Sequence, residues 1–314
     1  MNTHILLVCF NAVLPTFLML AVGFAARQFK MLDDKDVIKM NNIAFKIFMP
    51  AMLFYNIYSS DISVAVNGRL LGFAAVFVLA AFALSTAYTL LFVKDKGKQS
   101  VYIQGMYRSN FVVIGLPVAS ALVEGADMSA VSMLMVVVVP IFNTLAVICL
   151  ETFNGRKIEP FRIFVDVVKN PLILASLAGA AFLLLDIKLP MPLDKAVSSL
   201  GKAASPLVLF LLGAFFRFDS LRHYARDLVQ ICTMRLVVIP ALALSAAIAM
   251  GFRGVELAGL LGVFGSSTAV ASFTMAQSMG GDAELAGNIV IATSVLCSVT
   301  LYAWSVLFKS FGWM

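Results

Sequence analysis

Charge is what this chain lacks first: only 13% of its 314 residues are Asp, Glu, Lys or Arg, against about 25% in a soluble globular domain. With 61% of residues hydrophobic, that scarcity excludes a soluble enzyme. Histidine is scarcer still. His4 and His223 are the only two, and neither has a companion at ligand spacing, which excludes a metalloenzyme. The four cysteines, Cys9, Cys149, Cys232 and Cys297, lie far apart inside apolar runs with no CxxC pair, so a disulfide framework or zinc site is excluded and packing is their expected role. None of the 17 acidic residues falls in the middle third of an apolar run; Asp61, Glu124, Asp127, Glu151, Asp186, Asp219 and Asp282 sit at ends or in connections. An intramembrane aspartyl protease therefore lacks its second carboxylate, a lipid-modifying transferase its aspartate-rich magnesium site, and a cation antiporter or sodium pump its buried acid. Net charge is +6, but no basic face with interleaved aromatics appears, so nucleic acid is not a partner. The chain is expected to be no enzyme and to carry no cofactor.

What the sequence has is apolar length. At about 20 apolar residues per membrane-spanning helix plus a short connection, the chain is filled by about ten spans, with no room for a separate soluble domain. Punctuation by charge, Gly and Pro places them near 5–26, 37–59, 69–93, 100–123, 129–153, 163–186, 193–216, 228–251, 255–279 and 284–308. The first lacks a basic leader and is too long for a cleaved signal region. Alternate connections hold fourteen of the 23 Lys and Arg, the opposite connections five. Positive connections stay in the cytoplasm, so both termini are expected outside it, in a multi-pass protein of the inner (plasma) membrane. Lys46, Arg108, Lys202 and Arg235 remain within the spans; Arg108, near the inner end of its span, is expected among lipid headgroups.

Sliding the chain by 156 residues aligns Pro15 with Pro171, Gly23 with Gly179, Lys46 with Lys202, Pro50 with Pro206 and Phe54 with Phe210. Pro, Gly and intramembrane Lys each cost something in a lipid-embedded helix, so their recurrence at one spacing implies two copies. Five spans per copy is odd, so the second copy is inverted, as in secondary transporters. The expected fold is an all-α integral membrane protein: residues 1–153 form the first five-helix repeat, 154–162 a short cytoplasmic connection, and 163–314 the second, inverted repeat.

In such folds the solute site lies where corresponding helices break at mid-membrane. The fourth span contains Ser109-Asn110 through Gly115-Leu116-Pro117, with a Pro that lacks its N–H and a Gly that loosens the chain. The ninth contains Gly262-Val263-Phe264-Gly265-Ser266-Ser267-Thr268, with hydroxyls able to cap a restarted helix. Two helix N-termini meeting there would suit an anion. Lys46 lies roughly 15 Å into its helix, near the bilayer centre, and Lys202 is its counterpart. Either these lysines reach a polar cavity, snorkel or are compensated by a bound anion, or they cap carbonyls freed by Pro50 and Pro206. Asn143, Asn288, Thr293 and Ser294 are uncharged polar groups deep in the fifth and tenth spans, for which interhelical hydrogen bonding is the commoner use; Asn41 and Asn42 are weaker candidates. Asn110 is the expected solute contact.

At these residues the chain resembles the auxin efflux carrier family, in its bacterial organic-acid permease branch. The resemblance rests on Met40-Asn41-Asn42-Ile43, Phe48-Met49-Pro50-Ala51-Met52-Leu53-Phe54, Ser109-Asn110 with Gly115-Leu116-Pro117, Ser205-Pro206-Leu207-Val208-Leu209-Phe210-Leu211-Leu212-Gly213 and Thr268-Ala269-Val270-Ala271. It implies a scaffold of spans 1, 2, 6 and 7, a moving transport domain of spans 3–5 and 8–10, and broken, crossing helices 4 and 9 that hold a carboxylate. Carried over, it places Asn110, Gly115 and Pro117 in one crossing helix and Ser266, Ser267 and Thr268 in the other, with Asn143 beside them. Ser266-Ser267 stand where the family usually has Pro, so that break rests on glycines and hydroxyls. The short connection near 154–162 lacks the long regulatory loop of plant carriers. The implied activity is secondary active transport of mono- or dicarboxylates such as malate or malonate by alternating access, in the bilayer, as a homodimer. The coupling ion, H⁺ or Na⁺, stays open, and the alternative is a channel or solute-sensing membrane protein on the same fold.

Overall fold

The computed structural model describes residues 2–60, 67–123, 125–153 and 160–314. Asp61, Glu124 and most of the 154–162 connection lie outside the described residues. Among the described residues the chain is helical, apart from one isolated bridge between Ser109 and Thr268.

In chain order the helices are α1 (Asn2–Gln28), α2 (Asp34–Tyr58), α3 (Gly68–Phe92), α4 (Lys96–Tyr107), α5 (Phe111–Leu122), α6 (Ser129–Thr152), α7 (Pro160–Lys169), α8 (Pro171–Leu184), α9 (Met191–Phe215), α10 (Phe218–His223), α11 (Ala225–Ala249), α12 (Gly254–Gly265), α13 (Ala271–Met279) and α14 (Ala283–Ser310). Seven of them are long and apolar enough to cross a membrane, and α5, α8 and α12 are shorter apolar helices. Three of the ten expected spans are therefore divided. The fourth parts at Arg108–Asn110, the ninth at Ser266–Val270 and the sixth at Asn170. The division at Asn170 was not expected. Its side chain accepts the Leu172 N–H at 2.9 Å and caps α8, while Pro171 disfavours a helical conformation at Asn170. Pro15, its counterpart in the sequence repeat, stays inside continuous α1.

Proline shapes the other long helices differently. A Pro ring clashes with the carbonyl four residues back and removes a donor. At Pro50, Pro117 and Pro240 the chain widens just before the ring into a five-residue π-turn, at Ala44–Phe48, Phe111–Gly115 and Met234–Val238, which carries the helix past the obstruction.

Helix α2 begins in a reciprocal cap. Asp33 accepts the Asp36 N–H at 2.7 Å and the Asp36 carboxylate accepts the Asp33 N–H at 3.0 Å, satisfying two orphan donors. The hydrogen bond from the Asp36 N–H holds the Asp33 carboxyl below its ordinary pKa.

Close backbone approach packs the first two helices on α8 and α9. A Cβ on Gly23 would collide with the Phe210 carbonyl, and one on Gly179 would lie 2.8 Å from the Phe54 carbonyl oxygen. Small residues let helices approach this closely where lipid supplies no hydrophobic drive. The four cysteines are buried and unpaired by disulfides, as their sequence setting implied. Leu18, Val22, Leu91, Phe92, Leu184 and Val299 are exposed on the outer surface, an apolar coat suited to hydrocarbon rather than water.

Candidate functional site

The two interruptions of the fourth and ninth expected spans face each other. Helix α4 stops at Tyr107, and Arg108 takes an extended conformation. Helix α12 stops at Gly265, and Ser266 is likewise extended. The two short segments then pair as antiparallel strands at Ser109 and Thr268. Asn110 N–H donates to the Ser267 carbonyl at 2.8 Å and Ala269 N–H to the Arg108 carbonyl at 3.2 Å. The Ser109 and Ser266 hydroxyls share a 2.7 Å hydrogen bond. Each segment thereby satisfies backbone groups that hydrocarbon could not. The ninth-span interruption forms without a proline.

Just beyond the pairing, α5 packs close against α12, glycine against glycine. A Cβ on Gly262 would lie 2.6 Å from the Gly115 carbonyl oxygen. Gly115 is thus a contact point rather than a point of looseness. The expected stretch Ser109–Pro117 does hold the break, but at its start, and Pro117 lies inside α5, where the π-turn absorbs its ring.

Ser266, Ser267 and Thr268 are fully buried behind the pairing and brace it. Thr268 Oγ1 donates to the Gly105 carbonyl at 2.7 Å, its N–H donates to Thr293 Oγ1 at 3.1 Å, and Ser294 Oγ bonds Ser267 Oγ at 3.2 Å. Asn288 exchanges hydrogen bonds with Ser220 at 2.9 and 3.1 Å, an interhelical tie. Asn41 is buried and donates to the Thr274 carbonyl at 3.2 Å, and Asn42 is exposed and accepts from Ser278.

A cavity of about 80 Å³ opens against the pairing, smaller than the roughly 300–1,000 Å³ of drug-sized sites. Of the residues expected at the site, Asn110 and Asn143 line it; Gly115, Pro117, Ser266, Ser267 and Thr268 do not. Arg108, Asn56, Ser205 and Ala269 also line it. The first residues of α5 and α13, Phe111 and Ala271, border the cavity. The Asn110 side-chain amino group is buried without a hydrogen-bond partner, an unsatisfied donor beside the cavity.

Arg108 corrects the expectation from sequence. It is not among headgroups but 2% exposed, because the chain leaves helical geometry there and turns the side chain inward. Its guanidinium donates to Asn143 Oδ1 at 2.5 Å, Gln104 Oε1 at 3.2 Å, Met275 Sδ at 2.9 Å and Ser272 Oγ at 3.5 Å, all uncharged groups. Arg235, which sequence reasoning left without a role, is wholly buried and donates to the carbonyls of Ser266, Val263 and Tyr107 at 3.0, 3.2 and 3.3 Å. The available signal was a lone Arg inside the apolar run from Leu228 to Ile239.

Lys46 and Lys202 are exposed on the protein surface, not buried, and neither lines the cavity. On α2 the buried stripe falls on Ala44 and Phe45 and passes Lys46 by; on α9 it falls on Gly201 and Ala204.

Two stretches of the chain, residues 8–162 and 157–305, match the model of a family described as membrane transport protein. An uncharacterized transporter of Methanothermobacter thermautotrophicus is 23% identical over 95% of this chain and 97% of its own length. A similar protein of Methanocaldococcus jannaschii, also an uncharacterized transporter, is 23% identical over 95% and 98%. A Rhizobium meliloti protein named "Putative malonate transporter" is 28% identical over 53% of this chain and 54% of its own.

Proposed function

We propose that this chain, which belongs to the membrane transport protein family, the auxin efflux carriers, is a secondary carrier of small organic anions. Mono- or dicarboxylates such as malonate or malate are its solutes, moved by alternating access with the carboxylate held at the paired interruptions. One observation carries this reading: a buried guanidinium, Arg108, whose hydrogen bonds all end on uncharged groups, in one cavity with the unpartnered amino group of Asn110. A buried cation is costly without a counter-charge, and an Arg fork with helix N-termini matches a carboxylate. The malonate relative supports the solute class over about half the chain.

The architecture that goes with this reading is two inverted five-helix repeats, 1–153 and 163–314, with α5 and α12 as the crossing elements. The Gly23–Phe210 and Gly179–Phe54 approaches support it. The same 156-residue shift that relates the sequences exchanges one contact for the other. The scaffold would comprise α1, α2, α7, α8 and α9, and the moving domain α3–α6 and α11–α14. The excess of Lys and Arg in alternate connections supports a plasma-membrane protein with both termini outside the cytoplasm.

Counterflow uptake in proteoliposomes tests the reading with malonate, malate, a monocarboxylate and an uncharged amide, comparing the parent with Arg108→Gln. Saturable exchange of carboxylates is expected, with half-saturation for malonate at least about 30-fold weaker in Arg108→Gln, since losing one partner of a buried charge pair costs roughly 2–5 kcal/mol. Exchange of the amide as readily as malonate, or an Arg108→Gln variant that saturates like the parent, refutes it. Binding without exchange would favour a sensor, and flux without counterflow a channel.

A further inference from the structure

The carboxyl-terminal ends of α4 and α12 meet at Arg235, on the protein side of the pairing. Final helical turns leave carbonyls without intrahelical donors and carry partial negative charge. In secondary transporters built with discontinuous helices, such carbonyls coordinate the Na⁺ or H⁺ that couples transport. Here Tyr107 ends α4, Val263 lies in the last turn of α12 and Ser266 follows it, and all three carbonyls accept from one guanidinium at 3.0–3.3 Å. Among the described residues no carboxylate forms an ion pair with Arg235. The side chain enters from the π-turn Met234–Val238 of α11, a third helix.

We infer that Arg235 is a tethered cation standing where a coupling metal ion would sit, so that the paired interruptions are held together without Na⁺. The guanidinium stays protonated in proteins and its fork supplies several donors at once, so it draws two helix ends to a common point as a spherical cation would. Unlike such an ion it cannot leave between turnovers. It also takes over the work of the proline absent at Ser266-Ser267: the ends of α4 and α12 are fixed by what they both bind rather than by a ring that forbids the helix. The inference concerns the ion at this junction and stands whichever solute is carried.

The test is thermal melting of the purified protein in detergent, in NaCl and in choline chloride at equal ionic strength, for the parent, Arg235→Lys and Arg235→Ala, with added guanidinium at low concentration as a further condition. The parent should melt at the same temperature in both salts. Arg235→Ala should melt lower by roughly 5 °C or more and recover part of the loss with Na⁺ or guanidinium, neither of which should raise the parent. Arg235→Lys, which keeps a point charge, should lose less than Arg235→Ala and melt alike in both salts. A parent stabilised by Na⁺ over choline overturns the inference, as does an Arg235→Ala variant that melts with the parent. Should Arg235→Ala not fold, Arg235→Lys decides: stability in choline supports the inference, a requirement for Na⁺ overturns it. In proteoliposomes, malonate counterflow by the parent should be equal with Na⁺ or choline on both sides. Absence of malonate exchange in either salt would count against the proposed solute and leave the melting result to decide this inference.

Discussion

Gly262→Ala tests the geometry of the interruptions most directly, because its effect can be worked from one contact. The added Cβ would lie 2.6 Å from the Gly115 carbonyl oxygen and 2.9 Å from its carbon, where ordinary van der Waals contact begins at 3.4 Å. The obstructing atoms are backbone, which no rotamer change can move aside. To restore contact distance α5 and α12 must separate by about 0.8 Å, the difference between 3.4 and 2.6 Å. The paired segment that follows α12 starts at Ser267, two residues beyond Gly265, and the longer hydrogen bond of the pairing, Ala269 N–H to Arg108 carbonyl, already spans 3.2 Å. The same displacement would carry it beyond the 3.5 Å limit of a useful bond. Overpacking costs about 1–3 kcal/mol and the lost bond about 0.5–1.5 kcal/mol. Together these lower the melting temperature by several degrees, at roughly 2–4 °C per kcal/mol. The control is Gly72→Ala in α3, where a Cβ meets nothing within 4 Å and helix propensity favours Ala by up to about 1 kcal/mol. Melting of both variants, with malonate counterflow beside it, gives the answer. If Gly262→Ala melts with Gly72→Ala and exchanges malonate normally, the glycine contact does not set the geometry of the site.

Three further outcomes follow from the site and the helix start. Asn110→Asp should abolish malonate counterflow while leaving a folded, monodisperse protein, because it places a negative charge where the anion is proposed to bind; retained exchange would contradict that placement. Lys46→Met and Lys202→Met, singly and together, should keep malonate half-saturation within about threefold of the parent, because both side chains lie on the exposed surface, and a larger change would return them to the site. The Asp33 carboxyl is held below its ordinary pKa by the Asp36 N–H. Its stabilisation is therefore full above its unfolded value of about 3.9 and is lost as pH falls through the lower folded value. The melting gap between the parent and Asp33→Ala should accordingly stay constant from neutral pH to about pH 4 and close below it; a gap that closes near neutrality would be inconsistent with the cap.

Spans were legible in the sequence because length and hydropathy alone specify them; ends fell within a few residues of helices α1, α2, α3, α6, α9, α11 and α14. Interruptions were legible only where Gly and Ser cluster. The ninth was placed at Gly262–Thr268 and occurs at Ser266–Val270. The fourth was placed in the stretch Ser109–Pro117 and occurs at its start, at Arg108–Asn110, since a π-turn carries the helix past Pro117. Depth in a helix says nothing about azimuth: Lys46 and Lys202 sit at mid-span, yet face outward. Conversely Arg108 was assigned to headgroups by its distance from the helix end, a measure that fails once the helix stops and the side chain turns inward. Asn110 and Asn143 were found by their polarity in apolar surroundings, while Asn56 and Ser205, which also line the cavity, were not singled out.

The bridge between Ser109 and Thr268 has a consequence for how the protein is made. The two partners are separated by more than half the chain, so the ribosome delivers Arg108, Ser109 and Asn110 to the membrane long before residues 266–270 exist. During that interval a guanidinium and an unpaired strand wait in or near hydrocarbon, where such groups are expensive. The early half must therefore be sheltered by water, lipid headgroups or the insertion machinery until the late half arrives, and stop mutations near the carboxyl end should yield a product that is degraded rather than one that leaks. Two separately synthesised halves, 1–153 and 160–314, would re-form the Ser109–Thr268 pairing only by finding one another in the bilayer.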